Sequence, residues 1–133
     1  MHPRQFLYNA ANRLTIWAIR VGIPRPPYTR ENALIVETVG RRSGKRRQVP
    51  VAYLEERGEL IVVVENGLRA QWVQNALAQD GQLRIFLRGR WCHARLRMLE
   101  GDPDAYLHRM NRLHAALLRG HSTTLGLAAI KPE

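Results

Sequence analysis

Two alternating runs joined by a short turn constrain this chain more than any other feature. Leu83, Ile85 and Leu87 hold one set of alternate positions, and Arg84, Phe86 and Arg88 hold the other. After Gly89-Arg90 the pattern resumes, with Cys92, Ala94, Leu96 and Met98 against His93, Arg95 and Arg97. A period of two belongs to a strand with one buried face. Runs separated by so short a turn pair as antiparallel neighbours. The pattern predicts a hairpin with one apolar face and one Arg-rich face. The outward Arg84, Arg88, Arg95 and Arg97 read as a solvated face or as a site for an anionic partner.

The rest of the chain supplies partners for that hairpin. Ala33 to Val39 reads as a strand, and Val49, Val51 and Tyr53 alternate in a second. Pro50 in that run predicts an edge or a bulge. Glu56-Arg57-Gly58 turns the chain, and Leu60 to Val64 is an unbroken apolar run, as in a strand buried on both faces. Helical spacing appears over residues 5 to 21, where Phe6, Ala10, Leu14, Trp17 and Val21 form one stripe. That stripe predicts a helix docked on the sheet, or one lying on a membrane surface. Gly22 and Pro24 to Pro27 end it. A second helix spans Gln71 to Gln79 and stops at Asp80-Gly81. A third starts at Asp102-Pro103, carries Tyr106, Met110, Leu113 and Leu117 on its buried stripe, and stops at Gly120. Thr124 to Ile130 can form a last strand.

One domain is expected over residues 1–133, since a chain this short builds one core. The fold class is mainly β with flanking helices (α+β), a small closed or half-closed antiparallel barrel. No stretch reaches the ~18 apolar residues of a spanning helix. No signal peptide is evident, so a reducing, cytoplasmic setting is expected, with membrane association through the first helix as the alternative. A single cysteine, Cys92, rules out a disulfide framework, and the five histidines lack ligand spacing, so no metal site is predicted. Trp91, Cys92 and Tyr106 read as packing residues.

Charge brings function into view. The net charge is +10, and 19 of the 21 basic residues are Arg. Such a chain suits an anionic partner: nucleic acid, an anionic membrane or a phosphorylated small molecule. Arg41, Arg42, Lys45, Arg46 and Arg47 crowd into one turn, Gly40-Arg-Arg-Ser-Gly-Lys-Arg-Arg47. Arg forks suit phosphate oxygens, and Gly40 and Gly44 permit a backbone whose amides converge on an anion. Ser43 adds a hydroxyl. Three residues separate the glycines and a strand follows, so this is not a Walker A loop. The residues alone allow either an anion site or a solvated turn.

The stretch Glu37-Thr-Val-Gly-Arg-Arg-Ser-Gly-Lys-Arg-Arg-Gln-Val-Pro-Val-Ala-Tyr53 resembles the signature of the deazaflavin-dependent nitroreductase family. The resemblance extends through Leu60 to Val64 and Trp72-x-x-Asn75-Ala-Leu77 into the hairpin, over roughly residues 30 to 100. It implies a split β-barrel like that of FMN-binding split-barrel proteins. It implies coenzyme F-420 (8-hydroxy-5-deazaflavin) as cofactor in preference to FMN, and hydride transfer to a quinone-like or nitro/enone acceptor. The implied cofactor-binding residues are Arg41, Arg42 and Ser43 at the phosphate, Lys45 and Arg46 toward the polyglutamate tail, Arg47, Pro50, and Trp72 and Asn75 on the groove helix. No protein acid or base is required, because the cofactor carries the chemistry. The chain departs from the family between Val64 and Trp72, where the loop is shorter and Ala70 replaces a Pro. The alternatives are a deazaflavin carrier without turnover and a nucleic-acid-binding module. The hairpin's lone outward aromatic, Phe86, disfavours the latter. Split barrels of this kind often pair through sheet faces, and the resemblance leaves both a homodimer and a monomer open.

Overall fold

The computed structural model describes residues 3–23, 32–65, 67–109 and 125–133. The elements are α1 (Pro3–Val21), β1 (Ala33–Val39), β2 (Arg46–Ala52), β3 (Leu54–Glu56), β4 (Glu59–Glu65), α2 (Gln71–Leu77), β5 (Gln82–Leu87), β6 (Arg90–Leu99), α3 (Pro103–Leu107) and β7 (Leu125–Pro132). A single 3-10 turn, Gly67–Arg69, leads into α2.

All seven strands form one sheet in the order β2-β1-β5-β6-β7-β4-β3, and every pairing is antiparallel. Its two edge strands, β2 and β3, are consecutive in the chain and separated by Tyr53 alone. One residue spans at most ~3.6 Å, so the sheet must curl until its edges meet at that corner. The Tyr53 amide donates to the Asn32 carbonyl at 3.1 Å, and its ring is buried in the core. The result is a split β-barrel, with a seam between β2 and β3.

Strand parity sorts the side chains. Leu34, Val36, Leu60, Val62, Val64, Leu83, Ile85, Ala94, Leu96, Ala128 and Ile130 point inward and fill the barrel, and α2 adds Val73 and Ala76. The run from Leu60 to Val64 is apolar throughout because its outer residues are covered too. Ile61 and Val63 pack with Leu127, Ala129 and Leu107 of α3. Tyr106 joins that cluster as a packing residue. On the opposite wall α1 sets Ile19 against Ala33, Ile35 and Phe86.

Several sequence expectations are corrected. The second strand bends at Tyr53 and splits into β2 and β3, because its halves join opposite edges of the sheet. The hairpin turn is Arg88-Gly89, with φ of 50° and 89°, and Arg90 is already in β6. Two successive left-handed residues suit the twist of flanking strands. The first helix begins at Pro3, and the second stops at Leu77 rather than Gln79. The last strand is longer than expected and central, lying between β6 and β4. Within the α1 stripe, Leu14, Trp17 and Val21 do not dock but are exposed, while Thr15, Ala18 and Ile19 are buried; the side chains of Phe6 and Ala10 lie outside those described. Pro24 to Pro27, Met110, Leu113, Leu117, Gly120 and Thr124 lie outside the described residues.

Pro50 sits on the edge strand β2, where a missing N–H costs no ladder bond on the open side. Asp102 caps α3, its carboxylate accepting from the Asp104 amide at 3.0 Å.

Two outcomes are expected. Gly81 has φ +81°, and an added Cβ would lie 2.5 Å from the Leu96 carbonyl oxygen. Gly81→Ala should cost about 3 kcal/mol in urea unfolding, against about 1 kcal/mol for Gly44→Ala, whose φ is strained but whose surroundings are open. Burial pushes the Cys92 thiol up from its ordinary value. Iodoacetamide should therefore label Cys92 more slowly at neutral pH than it labels a free thiol in an unfolded control.

Candidate cofactor site

The barrel interior is filled, so a ligand must bind on its outside. The β1–β2 turn is well placed for this, because it closes a hairpin at the edge of the sheet. Within it the Gly40 amide donates to the Lys45 carbonyl and the Gly44 amide to the Gly40 carbonyl, each at 2.8 Å. Ser43 Oγ accepts from the Lys45 amide at 3.2 Å. The expected cradle of amides is therefore not what these glycines build. Their geometry closes the turn on itself and leaves its side chains to meet an anion.

One residue ties this turn to the rest of the site. Asn75 Oδ1 accepts from the Arg41 amide at 3.2 Å and from Arg41 Nη1 at 2.8 Å. Asn75 Nδ2 donates to Thr38 Oγ1 at 3.5 Å. Asn75 is 6% exposed and Thr38 3%. A buried amide on α2 thus holds both the backbone and the guanidinium of Arg41. The spacing of the Trp72-x-x-Asn75 motif acquires a physical reason. Trp72 packs on the barrel core, which seats the helix, and Asn75 one turn on reaches the basic turn.

The other candidate residues fall in three places. Arg42, Ser43 and Lys45 are exposed on the turn. Arg47 lies opposite Thr38 at the start of β2, and with Arg46 it borders a cleft of about 810 Å³ between β2 and α1. Pro50 is buried farther along β2, opposite Ile35. The structure joins Arg41 to Asn75 and gathers Arg42, Ser43 and Lys45 beside them.

Sequence reasoning missed Thr38, whose signal is a polar residue at an inward position of β1 after Leu34 and Val36. It also missed Arg13 and Arg20 of α1, which border the same cleft as Arg46 and Arg47. No spacing rule links residues so far apart in the chain.

The hairpin arginines behave differently from the turn. Arg84 Nη1 meets Glu37 Oε1 at 2.9 Å, while Gln48 Nε2 donates to Glu37 Oε2 at 2.8 Å. Both are cross-strand neighbours of Glu37. Arg84 also lies 4.8 Å from the centre of the Trp91 ring. Arg88 pairs with Glu55, Arg95 with Asp80 at 3.4 Å, and Arg97 with Glu59 at 2.7 Å. Exposed pairs of this kind add only ~0.2–1 kcal/mol each, so they matter here for charge rather than stability. Among the described residues, Arg42, Lys45, Arg46 and Arg47 have no carboxylate partner.

Comparison with known structures agrees with the fold. The chain is similar to an F420-H2 dependent reductase, FDR-A, at 23% identity with a TM-score of 0.51, covering 77% of this chain and 94% of that one. It is similar to HutZ, a heme storage protein of Vibrio cholerae, at 15% identity with a TM-score of 0.55, covering 77% and 82%. A structure described as a domain-swapped dimer matches at 20% identity with a TM-score of 0.53, covering 99% and 100%. No match was found among curated proteins. The family model for F420H(2)-dependent quinone reductase matches residues 20–124. That span holds β1 to β6 and the whole turn–Asn75 assembly, and the chain belongs to this family.

Proposed function

We propose that the phosphate of reduced coenzyme F-420 binds the β1–β2 turn, with Arg41 oriented by Asn75 and with Arg42, Ser43 and Lys45 beside it. The Arg41–Asn75 contact carries this reading. It presents a guanidinium in a fixed pose at an exposed turn otherwise rich in unpaired cations. Orienting a charged group before the ligand arrives lowers the ordering cost of binding.

The residues present fit the cofactor's chemistry. The ligand is multiply anionic, and the turn offers side-chain donors of opposite charge with no competing carboxylate among the described residues. Arg forks match phosphate oxygens, while Lys45 and Arg46 are point and fork charges toward the tail carboxylates. Trp72 lies on the helix that holds Asn75, and its half-buried indole packs against the barrel core and seats that helix. When bound, the reduced deazaflavin supplies a hydride for a quinone-type acceptor. The protein's part is to hold the cofactor, orient it and exclude water. Internal pairing of Arg84, Arg88, Arg95 and Arg97 weakens the nucleic-acid alternative, which uses the Arg hairpin together with the basic turn.

Titration of the purified protein with reduced F-420 should show saturable binding, and menadione should then reoxidise the cofactor. Lack of binding at tens of micromolar would overturn the reading, and binding without reoxidation would favour a carrier. Arg41→Ala should weaken binding by about 1.5–3 kcal/mol; an unchanged affinity would put the phosphate elsewhere. Asn75→Asp separates orientation from stability. Its carboxylate would hold Arg41 as an ion pair, so melting should change little while cofactor affinity falls. If affinity is kept, Asn75 does not act through Arg41.

A further inference from the structure

The strand that leaves the basic turn leads into a second basic feature. Arg46 and Arg47 open β2, and both line the cleft of about 810 Å³ between β2 and α1. The facing wall is one side of α1, with Arg13, Ile16, Trp17, Arg20 and Val21. These positions fall at i, i+3, i+4, i+7 and i+8, a single helical face. Arg13 and Arg20 are two turns apart, ~10 Å along the helix axis. Trp17 stands between them and is 54% exposed. Among the described residues no acidic one lines the cleft. The Glu37 carboxylate, bonded to the lining residue Gln48, is countered by Arg84.

We propose that this cleft holds the γ-glutamyl tail of the deazaflavin cofactor and makes affinity depend on tail length, with Arg13 and Arg20 of α1 joining Arg46 and Arg47 on the tail carboxylates. The proposal rests on the reading that the β1–β2 turn takes the phosphate. Continuity selects this occupant. Lys45 lies on the turn and Arg46 and Arg47 follow it directly, so one ligand with an anionic head and an anionic chain can engage both features. Spacing favours a chain over a single phosphate. Positive groups spread along ~10 Å of helix match carboxylates strung along a polymer. A γ-glutamyl chain alternates free carboxylates with short methylene stretches. Arg forks suit the carboxylates. The exposed indole of Trp17, flanked by Ile16 and Val21, gives the methylenes an apolar surface. Arg13 and Trp17 precede the family-matched residues 20–124, so family membership assigns them no role.

Equilibrium titration of the full chain tests it, using F-420 with a long γ-glutamyl tail and F-420 with no glutamates. The long-tailed form should bind about tenfold tighter at low salt. Raised salt should narrow the gap. Arg13→Glu should remove most of the gap and leave affinity for the tail-less form within about twofold. Arg57→Glu, at an exposed residue between β3 and β4, makes the same change in net charge and should keep the gap. Melting curves check that each variant folds. Equal affinity of the wild type for the two forms would overturn the proposal. So would a gap that Arg13→Glu leaves intact, or one that Arg57→Glu closes equally. A labelled oligo-γ-glutamate, titrated alone, reads the cleft without the phosphate. It should bind the wild type, and Arg13→Glu should lower that binding about fivefold. If neither form of F-420 binds but the oligomer binds through Arg13, the phosphate reading falls and the cleft stands as an oligocarboxylate site. If F-420 binds equally whatever its tail and the oligomer does not bind, only the tail proposal falls.

Discussion

Tyr53 joins two strands that sit at opposite edges of the same sheet, and the architecture follows from that corner. A flat seven-stranded sheet cannot have its first and last strands one residue apart. The sheet therefore curls, its inward residues meet, and the interior fills with aliphatic side chains from six strands and α2. A filled interior leaves no room for a cofactor, so the turn proposed to hold it lies on the outside. The β1–β2 turn at the sheet's edge has space for ligands that a central turn would lack. The seam at Tyr53 thus decides indirectly where recognition can occur.

Electrostatics then separates two kinds of arginine. On the hairpin, Arg84 pairs with its cross-strand neighbour Glu37, and Arg88, Arg95 and Arg97 reach Glu55, Asp80 and Glu59. On the β1–β2 turn and the start of β2, Arg42, Lys45, Arg46 and Arg47 have no carboxylate partner among the described residues. The excess charge is therefore concentrated on one side of the chain's chemistry, where its field acts on incoming anions. Glu37 shows how local this division is. It is spent on Gln48 and Arg84 on the outer face of β1, while Thr38, the next residue, faces inward and meets Asn75. Alternation along one strand places adjacent residues in separate networks.

Much of the barrel was legible in the chain. The alternation of Leu83, Ile85 and Leu87, the unbroken run from Leu60 to Val64, and the turns at Arg57-Gly58 and Asp80-Gly81 report local backbone preferences and burial directly. The family signature brought Arg41 and Asn75 into the same site from positions far apart in sequence. Other features were not legible. Leu14, Trp17 and Val21 have the spacing of a docking stripe, yet spacing shows only that residues share a face, not which face meets the sheet. The segment at Gly126 to Ile130 is short and small-sided, and nothing local says that it divides β6 from β4.

The sequence by itself determined the elements: which residues alternate, where turns reverse, and where positive charge is dense. These are properties of neighbours within a few positions, governed by backbone sterics and hydrophobic period. The tertiary structure alone decided the order of strands, the bend at Tyr53, the exposed face of α1 and the bond between Asn75 and Arg41. Each of these depends on distances between residues tens of positions apart, which only closure of the barrel brings within reach.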